Sequence, residues 1–289
     1  MPLRIAGGFH HLVLTGADHR LADVYAGRIT DQAAVDALVL DLAHQFDARL
    51  LPWLDGPPQT NEAGRSASIM AGLLWLAQRV RVPRFELFEL GASAGVNTMI
   101  DRYFFRLGAT EAGPPDSPMR IVPEWRGGSP PAPPAGFGIT SVKGCDIAPI
   151  NLADPDAALR LKAYVWPDAG ERMARIDAAI ALAGQQPPDL VAADAGDFAA
   201  EMLARASQPG TARVMFHSIM WQYMPAATQA RITAAFEAAG AEATPETPLG
   251  WIALETDPAT FRHELRVRLW DGAAHQGEEH LLSHAHPHG

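Results

Sequence analysis

The sequence predicts an α/β fold: a helical region over residues 1–84, then a mostly parallel sheet with an antiparallel edge over 85–289. Three observations carry this expectation. Before residue 84, apolar residues recur at helical spacings of three and four. From Phe85 onward, short apolar runs alternate with helical stretches, the pattern of a sheet covered on both faces. Hydrophobic residues make up 48% of the 289, enough for a sizeable core.

The elements follow in chain order. After Thr30-Asp31, the positions Val35, Leu38, Val39, Leu42, Phe46 and Leu50 form one helical face. Pro52 and Pro57-Pro58 break the chain. A second helix is expected from Thr60 or Asn61, both good capping types, and it must stop before Pro83. Phe85 to Leu90 reads as a buried strand closing on Gly91, and Gly95 to about Tyr103 as a helix. Residues 112–138 hold eight of the 24 prolines. They mark an insertion at about 108–138, either a floppy excursion or a lid. Strands are then expected at Ile139–Cys145, Leu190–Ala193, Arg213–His217, Trp251–Leu254, Phe261–Trp270 and Glu279–Ser283. Helices are expected at Glu171–Ala183, Phe198–Ala206 and Thr228–Ala239. The turn at Asp271-Gly272 would join an antiparallel final pair.

Charge and cysteine usage exclude several function classes. Lys plus Arg total 23 against 33 Asp plus Glu, a net charge of −10 that repels phosphate backbones. Nucleic acid is therefore not an expected partner. No apolar run approaches the roughly 20 residues of a membrane span, and Met1-Pro2-Leu3-Arg4 opens no signal-peptide pattern. The single cysteine, Cys145, excludes an internal disulfide and suits a reducing cytoplasm. The expectation is a cytoplasmic protein acting on a small molecule or a protein, with its oligomeric state unreadable.

The segment Gly91-Ala92-Ser93-Ala94-Gly95 sits between a strand and a helix and supports two readings. It matches G-x-S-x-G, in which Ser93 would be a hydrolase nucleophile. His217 or His284 would then be the base and Asp194 or Asp257 the orienter. It also matches a nucleotide-type turn, where small residues admit a ligand to the backbone. The 84 residues before it lack the strands and oxyanion loop that a hydrolase elbow needs. Glu89, two residues before the first glycine, has no role in a hydrolase.

The run Leu87-Phe88-Glu89-Leu90-Gly91-Ala92-Ser93-Ala94-Gly95 resembles the first motif of class I S-adenosylmethionine-dependent methyltransferases, with Ser93 in place of the middle glycine. Gly144-Cys145-Asp146-Ile147-Ala148-Pro149, Ala193-Asp194-Ala195-Gly196-Asp197 and Val214-Met215-Phe216-His217-Ser218 resemble the ends of that family's next three strands, in order. The resemblance covers about residues 85–285 and implies a Rossmann-like sheet and S-adenosylmethionine as cofactor. It implies that Glu89, Gly91, Ser93 and Gly95 line the methionine end, Asp146 the ribose and Asp194 the adenine. Ala92, Asn97, Ile147 and Ala195 fall beside them in the cofactor-binding set, and His217 borders the methyl-transfer pocket. The spacing departs from the family's: about 44 residues separate Gly95 from Ile139, where a helix and short loops need roughly 15 to 20.

The whole chain also resembles a bacterial family known only as a domain of unknown function. The matching pieces are Gln59-Thr60-Asn61-Glu62-Ala63-Gly64-Arg65, the glycine loop with Asn97, Val165-Trp166-Pro167-Asp168 and the ending His286-Pro287-His288-Gly289.

Asn61, Glu62, Arg65, His217 and Tyr223 form the expected catalytic set. Asn61, Arg65 and Ser68 share a helix face, with Glu62 beside them, either as a solvated cap or directed at substrate. Arg65 would suit a carboxylate. His217 at a strand end is a candidate general base, against a core or rim histidine, and Tyr223 a lesser candidate. His280, His284, His286 and His288 offer metal-type ligands, but a frayed or folded-back tail explains them better, so no metal is assigned. Cys145 reads as a small buried residue. The leading expectation is methyl transfer to an unidentified acceptor. The alternatives are a serine hydrolase using Ser93 and a non-catalytic Rossmann-like binding protein.

Overall fold

The computed structural model describes residues 2–55 and 58–286. Met1, Pro57 and the tail residues Pro287, His288 and Gly289, which the sequence reading used, lie outside the described residues. The chain opens with helices α1 (Pro2–Leu14), α2 (Arg20–Tyr25), α3 (Gln32–Gln45), α4 (Asp47–Leu50) and α5 (Ser66–Ala77). Strands β1 (Arg84–Leu90), β2 (Phe104–Leu107), β3 (Thr110–Ala112), β4 (Arg120–Ile121) and β5 (Gly138–Asp146) follow. Next come α6 (Pro155–Ala163), α7 (Gly170–Gln185), β6 (Asp189–Ala192), α8 (Ala195–Ala204), β7 (Thr211–Ser218) and α9 (Ala226–Ala241). The chain closes with β8 (Leu249–Thr256), β9 (His263–Trp270) and β10 (Gln276–Ala285).

Two compact units divide the chain, one from Met1–Asn61 with Ile150–Pro187 and one from Glu62–Pro149 with Pro188–Gly289. This corrects the boundary expected at residue 84. The helix α5 belongs with the sheet, and the connection from β5 to β6 supplies α6 and α7 to the helical unit. The helical unit has its own core of Phe9, Leu12, Leu21, Leu42 and Leu50, with Trp53, Ala163 and Tyr164 forming a second cluster. Gly7 is needed there because a Cβ would come within 2.9 Å of the Trp53 ring. Asp31 caps α3 by accepting a bond from the Ala34 amide.

The second unit is built on a seven-stranded sheet in the order β10-β9-β8-β7-β1-β5-β6. Strands β8, β7, β1, β5 and β6 run parallel, and β9 and β10 extend the edge antiparallel. The expected mixed α/β architecture with a mostly parallel sheet and an antiparallel edge is thus observed. Alternation along β8 shows how both faces are covered. Trp251 stacks on Phe236 of α9 with ring centroids 4.3 Å apart. On the other face, a Cβ on Gly72 of α5 would lie 3.1 Å from the Ile252 side chain. Phe88 likewise turns to α8, where it meets Phe198. Its neighbours Leu87 and Glu89 therefore share the opposite face.

The chain order of the sheet reverses at β1: β5 and β6 lie on one side, β7 and β8 on the other. In open parallel sheets the crevice at the carboxyl ends of the strands beside such a reversal is where ligands bind.

Two expectations inside this unit change. Gly95 to Tyr103 is not an α-helix but a tight 3₁₀ segment, Asn97–Arg102, kinked at Met99. The Thr98 hydroxyl bonds back to the Gly95 carbonyl at 2.6 Å, and the Tyr103 hydroxyl donates to Val96 O. These bonds fold the segment onto itself instead of letting it extend. The proline-rich insertion, expected as a floppy excursion or a lid, is ordered. It forms a small sheet in the order β3-β2-β4, and its later part is tied down. The Ser129 hydroxyl accepts from the Ala109 amide, the Gln78 amide donates to Ala132 O, and the Gly138 amide donates to Pro83 O. Pro83 precedes β1, so the insertion returns at the amino end of the sheet, away from the glycine turn.

Candidate functional site

The site is built from five parallel strand ends. In sheet order the side chains there are Asp194 after β6, Asp146 ending β5, Glu89 in β1, His217 in β7 and Glu255 in β8. Four carboxyl groups and one imidazole thus lie along one edge of the sheet.

The glycine turn rises from β1. Gly91, Ser93 and Gly95 all take left-handed conformations, with φ of 66°, 54° and 72°. Ser93 holds the conformation that a glycine would adopt there, at a cost of roughly 1–2 kcal/mol. Asp146 steadies this strain, because its Oδ2 accepts from the Ser93 amide at 2.8 Å. Its Oδ1 accepts from the Ala148 amide at 2.9 Å. Gly144 lets β5 approach the turn, since a Cβ there would lie 2.8 Å from Ala92 and Thr98 carbons.

Glu89 is 1% exposed, and its Oε2 has no hydrogen-bond partner. Burial pushes its carboxyl well above the usual carboxylate range, and the charge of Asp146 adds to the rise. Asn97 and the Arg65 guanidinium oppose it. Asn97 is also 1% exposed, and although its amide lies beside Glu89, neither Nδ2 nor Oδ1 makes a hydrogen bond of normal geometry. Native proteins rarely leave buried polar atoms unmatched, and such atoms call for an explanation.

His217 has a different role from the expected general base. Its Nδ1 lies 2.6 Å from Glu255 Oε1, and Trp251 Nε1 donates to its Nε2 at 2.9 Å. An indole N–H can only donate, so Nε2 must present its lone pair and Nδ1 must carry the proton. The ring stacks on Trp221 at 4.9 Å and is 1% exposed. With both nitrogens engaged, no lone pair remains for a base. Glu255 Oε1 also accepts from the Met220 and Trp221 amides at 3.1 and 3.3 Å, so this cluster fixes the turn after β7. In that turn Ile219 has a φ of 50°, a strained setting for a β-branched residue. Met220 reaches over the glycine turn, where a Cβ on Gly91 would lie 2.8 Å from its Cε.

The remaining expected residues divide. Arg65 lies close enough for its charge to act on both Glu89 and His263. Glu62 is buried in the same unit. Asn61 belongs to the other unit, and α5 starts only at Ser66, so Asn61, Arg65 and Ser68 do not share a helix face. Tyr223 is exposed, as is Ile147. Asp194 caps α8 through the Gly196 and Asp197 amides and pairs with Arg231 at 2.6 Å, and Ala195 is the first residue of that helix. Cys145 is buried, and burial raises its thiol to about 12, which fits a packing role. The reading from sequence missed Glu255 and Met220. A signal for Glu255 existed: a carboxylate closes the apolar run of this strand as Asp146 and Asp194 close those of β5 and β6.

The fold and site together define an α/β protein with a glycine turn and a buried carboxyl group, that of Glu89, at the reversal point of a parallel sheet. The chain belongs to the family described as an uncharacterized protein conserved in bacteria (DUF2332), which it matches over residues 1–289. No curated protein matches the chain. Among the described residues, no helix is long and apolar enough to cross a membrane.

Proposed function

We propose that the protein binds S-adenosylmethionine at the glycine turn and transfers its methyl group to a small-molecule or protein acceptor. The observation that carries this reading is the turn of Gly91, Ser93 and Gly95 at the sheet's reversal point, beside Glu89, whose buried Oε2 has no hydrogen-bond partner. The three left-handed residues open the backbone to a ligand, and Ser93 reproduces the conformation of the glycine it replaces. Bound cofactor would supply an electrophilic methyl on a cationic sulfonium. The carboxyl group of Asp146, at the end of β5 one strand away, favours such a cation. Glu89 and Asn97 offer buried polar atoms for the methionine part, and Asp146 offers a carboxylate one strand away for hydroxyl donors. Asp194 is exposed and can accept from an amine beside its capping bonds. Methyl transfer needs alignment more than acid–base chemistry, so the engagement of both His217 nitrogens does not oppose it.

Titration calorimetry with S-adenosylhomocysteine tests this reading. Micromolar binding is expected, with about 2.7 kcal/mol of stabilisation at a hundredfold excess over Kd. No heat and no melting shift at millimolar ligand would remove it. Methylated product in an acceptor screen separates an enzyme from a binding protein that has lost turnover.

The hydrolase reading keeps one supporting feature, the positive φ of Ser93. It loses His217 as its base, because Trp251 occupies Nε2, and its other candidate, His284, lies 3.7 Å from Glu264. Fluorophosphonate labelling that disappears in Ser93→Ala would restore it.

A further inference from the structure

The β9–β10 turn and the start of β10 carry a side-chain cluster outside the glycine-turn site. Among the described residues, His275, Glu278 and His280 each present a ligand-type atom, all within 4.8 Å of one another. We propose that these three residues bind a divalent transition-metal ion of zinc type. Two imidazoles and one carboxylate are the donor set such ions take, and three protein ligands leave one tetrahedral position open.

The backbone that carries these ligands is fixed independently of any metal. Asp271 Oδ1 accepts from the Ala273 and His275 amides, both at 2.9 Å, and the Asp271 amide donates to His275 O at 3.1 Å. Gly277 has a φ of 89°, and a Cβ there would lie 2.2 Å from the Trp270 ring, so the chain is pressed against that indole. Arg268 Nε holds the Gly277 carbonyl at 2.6 Å. A register shift between Gln276 and Glu279 re-aims the strand where the ligands project. The Gln276 amide donates to Glu278 Oε2 at 3.0 Å, and the His280 ring lies against Trp75 with centroids 5.0 Å apart. Metal–ligand bonds of about 2.0–2.2 Å require the donor atoms to draw in by somewhat under 1 Å, within reach of side-chain rotation.

Of the histidines that the sequence groups near the end of the chain, this site uses His280 alone. His284 approaches Glu264 instead, at 3.7 Å, and His288 lies outside the described residues.

The test is calorimetric titration of the full chain, without a histidine tag, with zinc chloride. One ion per chain is expected, with affinity weakened at least tenfold in His275→Ala, His280→Ala and Glu278→Gln. His284→Ala with His286→Ala should leave it unchanged. Cobalt(II) should quench tryptophan fluorescence through Trp75 in the native chain but not in His280→Ala. Circular dichroism confirms that each variant folds, and Glu278→Gln is the conservative one. Absence of zinc binding, or binding that survives the first three variants or disappears in the tail variants, overturns the proposal.

Discussion

Arg213 and Glu89 are both buried charged residues on neighbouring strands, yet the protein treats them in opposite ways. Arg213 lies opposite Glu86, towards the amino end of the sheet, and is 6% exposed. It donates to the carbonyls of Met202, Leu203 and Arg205 and to the Ser207 hydroxyl at 2.7–3.1 Å. Glu89 lies at the carboxyl end, is 1% exposed, and keeps one oxygen without a partner beside an equally unmatched Asn97. A buried charge with a full set of partners holds structure together. A buried acid without them is poised for a ligand. On the proposed function, the two ends of one sheet divide the work, stability at one and cofactor binding at the other.

The largest effect is expected from Arg213→Met, which strands three carbonyls and a hydroxyl. Denaturant unfolding should show a loss of about 3 kcal/mol with the affinity for S-adenosylhomocysteine unchanged. A loss under about 1 kcal/mol would break the comparison at its structural end. Glu89→Gln should act in the opposite sense. Ligand affinity should fall at least tenfold, about 1.4 kcal/mol, while the unliganded protein at pH 7 becomes no less stable.

The pH dependence sharpens the same contrast. The Glu89 carboxyl is raised in the folded state, so the folded chain keeps a proton that the unfolded chain releases. Stability from this group is complete below the ordinary carboxyl range, near pH 4.3. It is lost as pH rises from there towards the folded value, with a slope of up to about 1.4 kcal/mol per unit. Native protein measured against Glu89→Gln should show that slope, and parallel profiles would contradict it. The smallest effect is expected from Asp146→Asn. An amide oxygen can serve the Ser93 or the Ala148 amide less well than a carboxylate serves both. About 1 kcal/mol of stability and a few-fold of affinity should be lost, read by melting and titration.

The strands were legible because buried parallel strands are continuous apolar runs. Phe85 to Leu90, Arg213 to His217 and Trp251 to Leu254 all fall within observed strands. The glycine turn was legible because Gly91 and Gly95, with the small Ser93 midway between them, follow a strand and mark a left-handed path. The 3₁₀ segment was not, since residues 95–103 carry helical composition and only the Thr98 and Tyr103 hydroxyl bonds shorten it. The helical unit was drawn as contiguous because periodicity reports a face, not its partner. Nothing local in residues 150–187 says that they join residues nearly a hundred positions earlier. The role of His217 was hidden for the same reason: Trp251 and Glu255, which occupy its nitrogens, are 34 and 38 residues away.

The most direct test is a crystal structure of the protein soaked with S-adenosylhomocysteine. The account predicts ligand density over Gly91 to Gly95, with the Glu89–Asn97 pair and Asp146 acquiring polar partners and Met220 displaced. A bare glycine turn at millimolar ligand, with Glu89 Oε2 still without a partner, would contradict it.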